Sequence, residues 1–207
     1  MGIEVELRGF LTNKEKKRVL QELCTILGPP DIADEAVVFF EGSSDVKAKI
    51  SKWGVYFSLK EELPESKSKS LREEYTIKIS LEDIEDLLLL LDKLGYGIGY
   101  FSTYTKYEFS KGKLRFIIKT GLPVGDFFEI KTETESEKEV KRKLRELQEF
   151  LKNLKLKWFD ERESEKFFRQ CSEIVEKIKI VKDGQINRKL LSIIEKYKGL
   201  SERKKEN

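Results

Sequence analysis

Several short stretches of this chain repeat one pattern that few folds tolerate, a strict exchange of ionised and apolar residues. Glu4, Glu6 and Arg8 alternate with Val5 and Leu7 in EVELRG, and Lys47 and Lys49 alternate with Val46, Ala48 and Ile50 in DVKAKI. Ser58 and Lys60 repeat it in GVYFSLK, Arg72, Glu74, Thr76 and Lys78 oppose Tyr75, Ile77 and Ile79 in LREEYTIKI, and Arg115 and Lys119 continue it later. Side chains two apart on a strand share a face, so each stretch reads as a strand with one charged and one apolar side. Taken singly, such strands make an antiparallel sheet with one wet face. Taken together, they also fit a closed barrel with charges inside and apolar residues outside under helices.

The remaining segments supply the helices. Thr12 and Glu15 form a capping box that predicts a helix to Leu27, stopped by Gly28-Pro29-Pro30. Ser80 with Asp83 predicts a helix over 81–94, and Ser136 starts a long charged one to Leu154. Two more are expected over 163–178 and 186–198, ahead of a basic tail expected to be disordered. Strands are expected over 2–10, 36–41, 46–50, 54–60, 71–79, 101–109, 114–120 and 127–132, with a polar loop over 61–70.

Composition narrows the chemistry. Histidine is absent, which removes imidazole acid-base catalysis and His-based zinc sites and leaves carboxylates, Lys, Arg, Tyr or a bound ion to do any work. Cys24 and Cys171 are far apart within helical patterns and read as small buried hydrophobes. Lys+Arg of 41 against Asp+Glu of 38 gives a net charge of +3, too small to announce nucleic-acid binding by itself. No apolar run approaches membrane-spanning length and no leader pattern opens the chain, so a cytoplasmic protein without a membrane partner is expected. The wealth of Lys and Glu suggests a thermophilic source.

The order of these motifs resembles the CYTH family of triphosphate tunnel enzymes, which includes class IV adenylyl cyclases, thiamine triphosphatases and inorganic triphosphatases. Glu4-x-Glu6-x-Arg8 is similar to the family's opening ExExK, Lys47-x-Lys49 to its Arg-x-Arg, Lys60 to the lysine ending the next strand, and Arg72-x-Glu74 to its Arg-x-Glu-x-Glu. Lys106 falls near a later Arg, and Glu129 matches the first carboxylate of the closing Glu-x-Glu. The resemblance covers about residues 1–155 and implies an α+β fold built on an eight-stranded antiparallel closed barrel with flanking helices. Residues 156–207 are then a C-terminal helical extension.

In that family basic residues hold a triphosphate and carboxylates hold one or two divalent ions, usually Mg or Mn. The resemblance therefore implies Glu4, Glu6 and Arg8 as catalytic, and Glu4, Glu6, Glu74 and Glu129 as metal ligands. It implies Lys47, Lys49, Lys60, Arg72, Lys106, Arg115, Lys119 and Lys131 as the substrate-binding cations. The chain also departs from the pattern: Lys131 replaces the second closing carboxylate, Lys119 stands where a metal-binding acid is usual, and Thr76 ends the middle motif. Each acid-to-lysine exchange shifts local charge by about two units against a cation. The expected function is a phosphohydrolase acting on inorganic or organic triphosphate, with a cyclase less favoured. The alternatives are an impaired relative that binds nucleotide or polyphosphate without turnover, and a nucleic-acid or protein-binding module working through the C-terminal helices.

Overall fold

The computed structural model describes residues 3–42, 45–62 and 71–202, so most of the expected 61–70 loop and the end of the basic tail lie outside the described residues. The chain forms two compact units, Met1–Ile32, Glu61–Glu73 and Tyr104–Ile174 in unit 1, and Ala33–Lys60, Glu74–Thr103 and Val175–Asn207 in unit 2. The fold is α+β. The expectation of a closed eight-stranded barrel reduces to an antiparallel sheet shared out between these units, with five helices among the described residues. No described helix is long and apolar enough to cross a membrane.

In unit 1, β1 (Ile3–Phe10) pairs with β8 (Phe127–Thr134), β8 with β7 (Leu114–Thr120), and β7 with the later half of β6 (Ile98–Lys111). The register sets Glu6 opposite Lys131, Arg8 opposite Glu129, Arg115 opposite Lys131, and Lys106 opposite Lys119. Residues opposite one another across an antiparallel pair share a side. Every charged alternate residue of these strands therefore reaches one face, and Val5, Phe109, Phe116, Ile118, Phe128 and Ile130 fill a core on the other.

That core is closed by α1 (Asn13–Leu27), through Val19 and Leu23, and by α3 (Glu137–Asn153), through Leu147 and Leu151. The Thr12–Glu15 capping box forms as the sequence requires, and Gly28 ends α1 at a positive φ of 90°. Ser136 makes no side-chain cap for α3. Thr134 takes that part, accepting from the Ser136 N–H and donating to Glu139.

Gly9 of β1 has a packing duty. A Cβ there would lie 2.3 Å from the carbonyl oxygen of Lys157 and 2.7 Å from the Phe128 ring, where the Phe159 N–H donates to the Arg8 carbonyl at 2.7 Å. Gly9→Ala should therefore push segment 155–160 off β1 at a cost of about 1–3 kcal/mol, read as a lowered urea midpoint.

Unit 2 builds on β2 (Asp31–Phe40), β3 (Asp45–Ser51), β4 (Gly54–Glu62), the later part of β5 (Leu71–Ile79) and the start of β6. Ala36, Val38, Ala48, Ile50 and Val55 pack with Ile84 and Leu88 of α2 (Ile84–Lys93) and with Leu190 and Ile194 of α5 (Arg188–Glu202). The helix expected over 163–178 stops early as α4 (Glu161–Ile174). A strand, β9 (Glu176–Lys179), follows and pairs with β6, setting Ile178 opposite Gly99. The physical reason is the alternation around Ile178 and Ile180, both buried, which outweighs the helical propensity of the neighbouring Lys and Glu. A two-residue hairpin joins β10 (Val181–Lys182) to β11 (Gln185–Ile186) through Asp183 and Gly184, at φ of 53° and 77°.

Candidate functional site

Unit 1 gathers a dense set of ionised side chains on one face, and strand register explains how it arises. Lys131 Nζ lies 2.6 Å from Glu4 Oε2, Arg8 Nη2 2.6 Å from Glu6 Oε1, and Arg8 Nε 3.2 Å from Glu129 Oε1. Lys119 Nζ meets the same Glu129 oxygen at 2.8 Å. Beside them, Glu108 takes Lys106 at 3.1 Å and the Arg115 Nε–H at 2.6 Å.

These pairs are largely removed from water, Glu4 being 8% and Glu129 9% exposed. Burial opposes the charge of Glu129, yet Lys119 and Arg8 outweigh it and hold the carboxyl well below its ordinary range. Burial likewise opposes the Arg8 charge, and Glu6 and Glu129 more than offset it, so the guanidinium stays firmly protonated. Glu108, with burial opposing it and Arg115 and Lys106 prevailing, is also lowered.

For both carboxylates the folded value is below the unfolded value of 4.5. Their contribution to stability is thus complete above that value and is lost as pH falls through the lowered one. Urea midpoints should stay level from pH 7 to 5 and drop below about pH 4.5, and Glu108→Gln should reduce the drop.

A hard divalent cation takes several oxygens at once. Here Glu4, Glu6 and Glu129 each face an ammonium or guanidinium, and no group of three or more Asp, Glu, Cys or His among the described residues could hold a metal ion. The side chain of Glu74, the fourth expected ligand of Mg or Mn, is not among those the structure describes.

The proposed site residues are not all gathered in one unit. Glu4, Glu6, Arg8, Lys106, Arg115, Lys119, Glu129 and Lys131 meet on the unit 1 face, as the two-residue spacing predicts. Lys47 and Lys49 share one face of β3 in unit 2, opposite Ser58 and Tyr56 of β4, and Lys47 is buried. Arg72 stands opposite Glu4 in the β1–β5 register, but its side chain and those of Lys60 and Glu74 lie outside the described residues.

The sequence reading missed Glu108, although its place two residues after Lys106 was a usable signal. It also missed the approach of α4 to this face. Phe168 carries its ring 5.0 Å from the Arg8 guanidinium carbon. Cys24 and Cys171 are not buried as expected: the first is exposed and the second intermediate.

No protein-family model and no curated protein matches this chain. Solved structures do, and they show a CYTH-like fold. The PH1819 protein from Pyrococcus horikoshii OT3 is 19% identical at a TM-score of 0.63, over 81% of this chain and 98% of that one. A candidate adenylate cyclase from Vibrio parahaemolyticus is 15% identical at a TM-score of 0.62, over 81% and 98%. The candidate adenylyl cyclase HpAC1 from Hippeastrum, described as revealing a dominant triphosphatase activity, is 18% identical at a TM-score of 0.52, over 82% and 96%.

Proposed function

We propose that the charged face of unit 1 binds the triphosphate part of a small molecule, or inorganic polyphosphate, through Arg8, Lys106, Arg115, Lys119 and Lys131, with no resident divalent ion. The observation that carries this reading is the register that brings these cations from four neighbouring strands onto one sheltered face. A triphosphate spreads several negative charges along a chain, and cations spaced across adjacent strands answer that spread. Low exposure reduces screening, so the attraction survives physiological salt better than at an open surface. Glu4, Glu108 and Glu129 act as internal stand-ins for phosphate oxygens, and the ligand takes their place on the lysines. Four of the five cations' contacts with these carboxylates run through Lys or through a single Arg edge, which a stronger polyanion can displace.

Titration calorimetry with inorganic tripolyphosphate, with and without Mg, tests it. Binding in the absence of Mg and without phosphate release is expected. No affinity in either condition overturns the reading, and salt-sensitive RNA binding in its place would favour a nucleic-acid module. Lys47, Lys49, Lys60 and Arg72 stay proposed binding residues, each tested by its own alanine variant in this titration.

The second reading is phosphohydrolysis with Mg or Mn on Glu4, Glu6, Glu74 and Glu129, with Arg8 beside them. The CYTH-like fold, together with the triphosphatase activity described for the Hippeastrum protein, favours it. Phosphate release that needs added metal and disappears in Glu4→Gln with Glu6→Gln would establish it over the first.

A further inference from the structure

Part of the charged face is already occupied by this chain's own helix. Phe167 of α4 is buried, its ring 4.9 Å from that of Phe127 and 5.5 Å from that of Phe10. Those two rings end the charged sides of β8 and β1, opposite one another in register. The next residue, Phe168, sets its ring 5.0 Å from the Arg8 guanidinium carbon. One turn further along, Cys171 is near enough to Arg8, Lys119 and Glu129 for all three charges to act on its thiol. α4 therefore lies against Arg8 through Phe168 and, through Phe167 on the Phe127 ring that Lys119 Nζ approaches at 5.3 Å, beside Lys119 as well, the two cations that bracket Glu129.

The helix is anchored unevenly. Its start is fastened by a reciprocal cap, in which the Glu163 N–H donates to Asp160 and the Asp160 N–H donates to Glu163, and by the Phe159 N–H on the Arg8 carbonyl. Phe167 is 3% exposed and belongs to the packing, whereas Phe168 is 36% exposed and holds Arg8 with one side of its ring. Such a half-hydrated cation–π contact is weak enough for a phosphate to replace.

We propose that α4 is a displaceable cap on this face: it covers the ground a phosphate chain needs at Arg8 and Lys119, and binding of the polyanion lifts the turn that carries Phe168 and Cys171. This rests on the reading of the face as a polyanion site. The ligand and Phe168 compete for one guanidinium, whose two edges are already held by Glu6 and Glu129. The cap thereby sets a threshold, so that ligands with too few phosphates fail to displace it. Burial pushes the Cys171 thiol up to about 11, as a covered group requires, and makes it a slow nucleophile while the cap is down.

The full chain carrying Cys24→Ser leaves Cys171 as its one thiol and serves as the test protein. Inorganic tripolyphosphate should speed maleimide labelling of Cys171, and inorganic phosphate should not. Adding Phe168→Ala should speed labelling without ligand and tighten tripolyphosphate binding about threefold. Slower labelling with tripolyphosphate would overturn the proposal, since the helix would then be closing over the ligand. Binding and labelling unchanged by Phe168→Ala would overturn the cap alone. Loss of tripolyphosphate binding in every chain would instead overturn the polyanion site, and the cap's role with it.

Discussion

Glu129→Gln should weaken the fold and strengthen anion binding in the same molecule. The carboxylate is the common partner of Arg8 and Lys119. Removing its charge takes the carboxylate from Lys119 and leaves Arg8 with Glu6 alone, and breaking a buried pair in this way costs about 3 kcal/mol. The lost stability should appear in urea unfolding at pH 7. Both cations then lose the internal competitor they shared, and tripolyphosphate affinity measured by calorimetry should rise about tenfold. A fall in affinity would mean that Glu129 serves the ligand, as it would if it carried a metal ion.

The double change Lys119→Glu with Lys131→Glu should convert the preference of the face from anions to divalent cations. In the native chain Lys119 holds Glu129 and Lys131 holds Glu4. Exchanging both lysines for carboxylates shifts the local charge by about four units and leaves Glu4, Glu6 and Glu129 with acidic neighbours across the strands. Manganese should then bind tighter than to the native chain by on the order of a hundredfold, while metal-free tripolyphosphate binding should disappear. Both follow from titrations of the two proteins side by side. Unchanged manganese affinity would show that backbone spacing, and not charge, keeps an ion out.

What the amino-acid order made legible was the part of the structure with period two. Glu6, Arg8, Arg115, Glu129 and Lys131 could be assigned to one face from spacing alone, because the alternation leaves the chain no other way to bury Val5, Phe116 and Ile130. The strand order needed the family resemblance, since spacing does not say which strand lies beside which. The pairing of acids with bases was not legible. Whether Glu4 meets Lys131 or a metal ion depends on register, and register is set by long-range pairing that no local pattern records. The C-terminal region misled for a different reason. Glu176 and Lys177 favour helix, while Ile178, Ile180 and Val181 favour a strand, and an available edge of β6 decided between them. The Asp183-Gly184 pair was a hairpin signal that went unread.

Each compact unit is stitched from three separate lengths of chain, and this has a consequence during synthesis. Strands β2 to β4 emerge from the ribosome well before Leu190 and Ile194 of α5, the residues that finish covering them. Until α5 follows, their greasy sides stay uncovered, at a stage when nascent chains are prone to stick to one another.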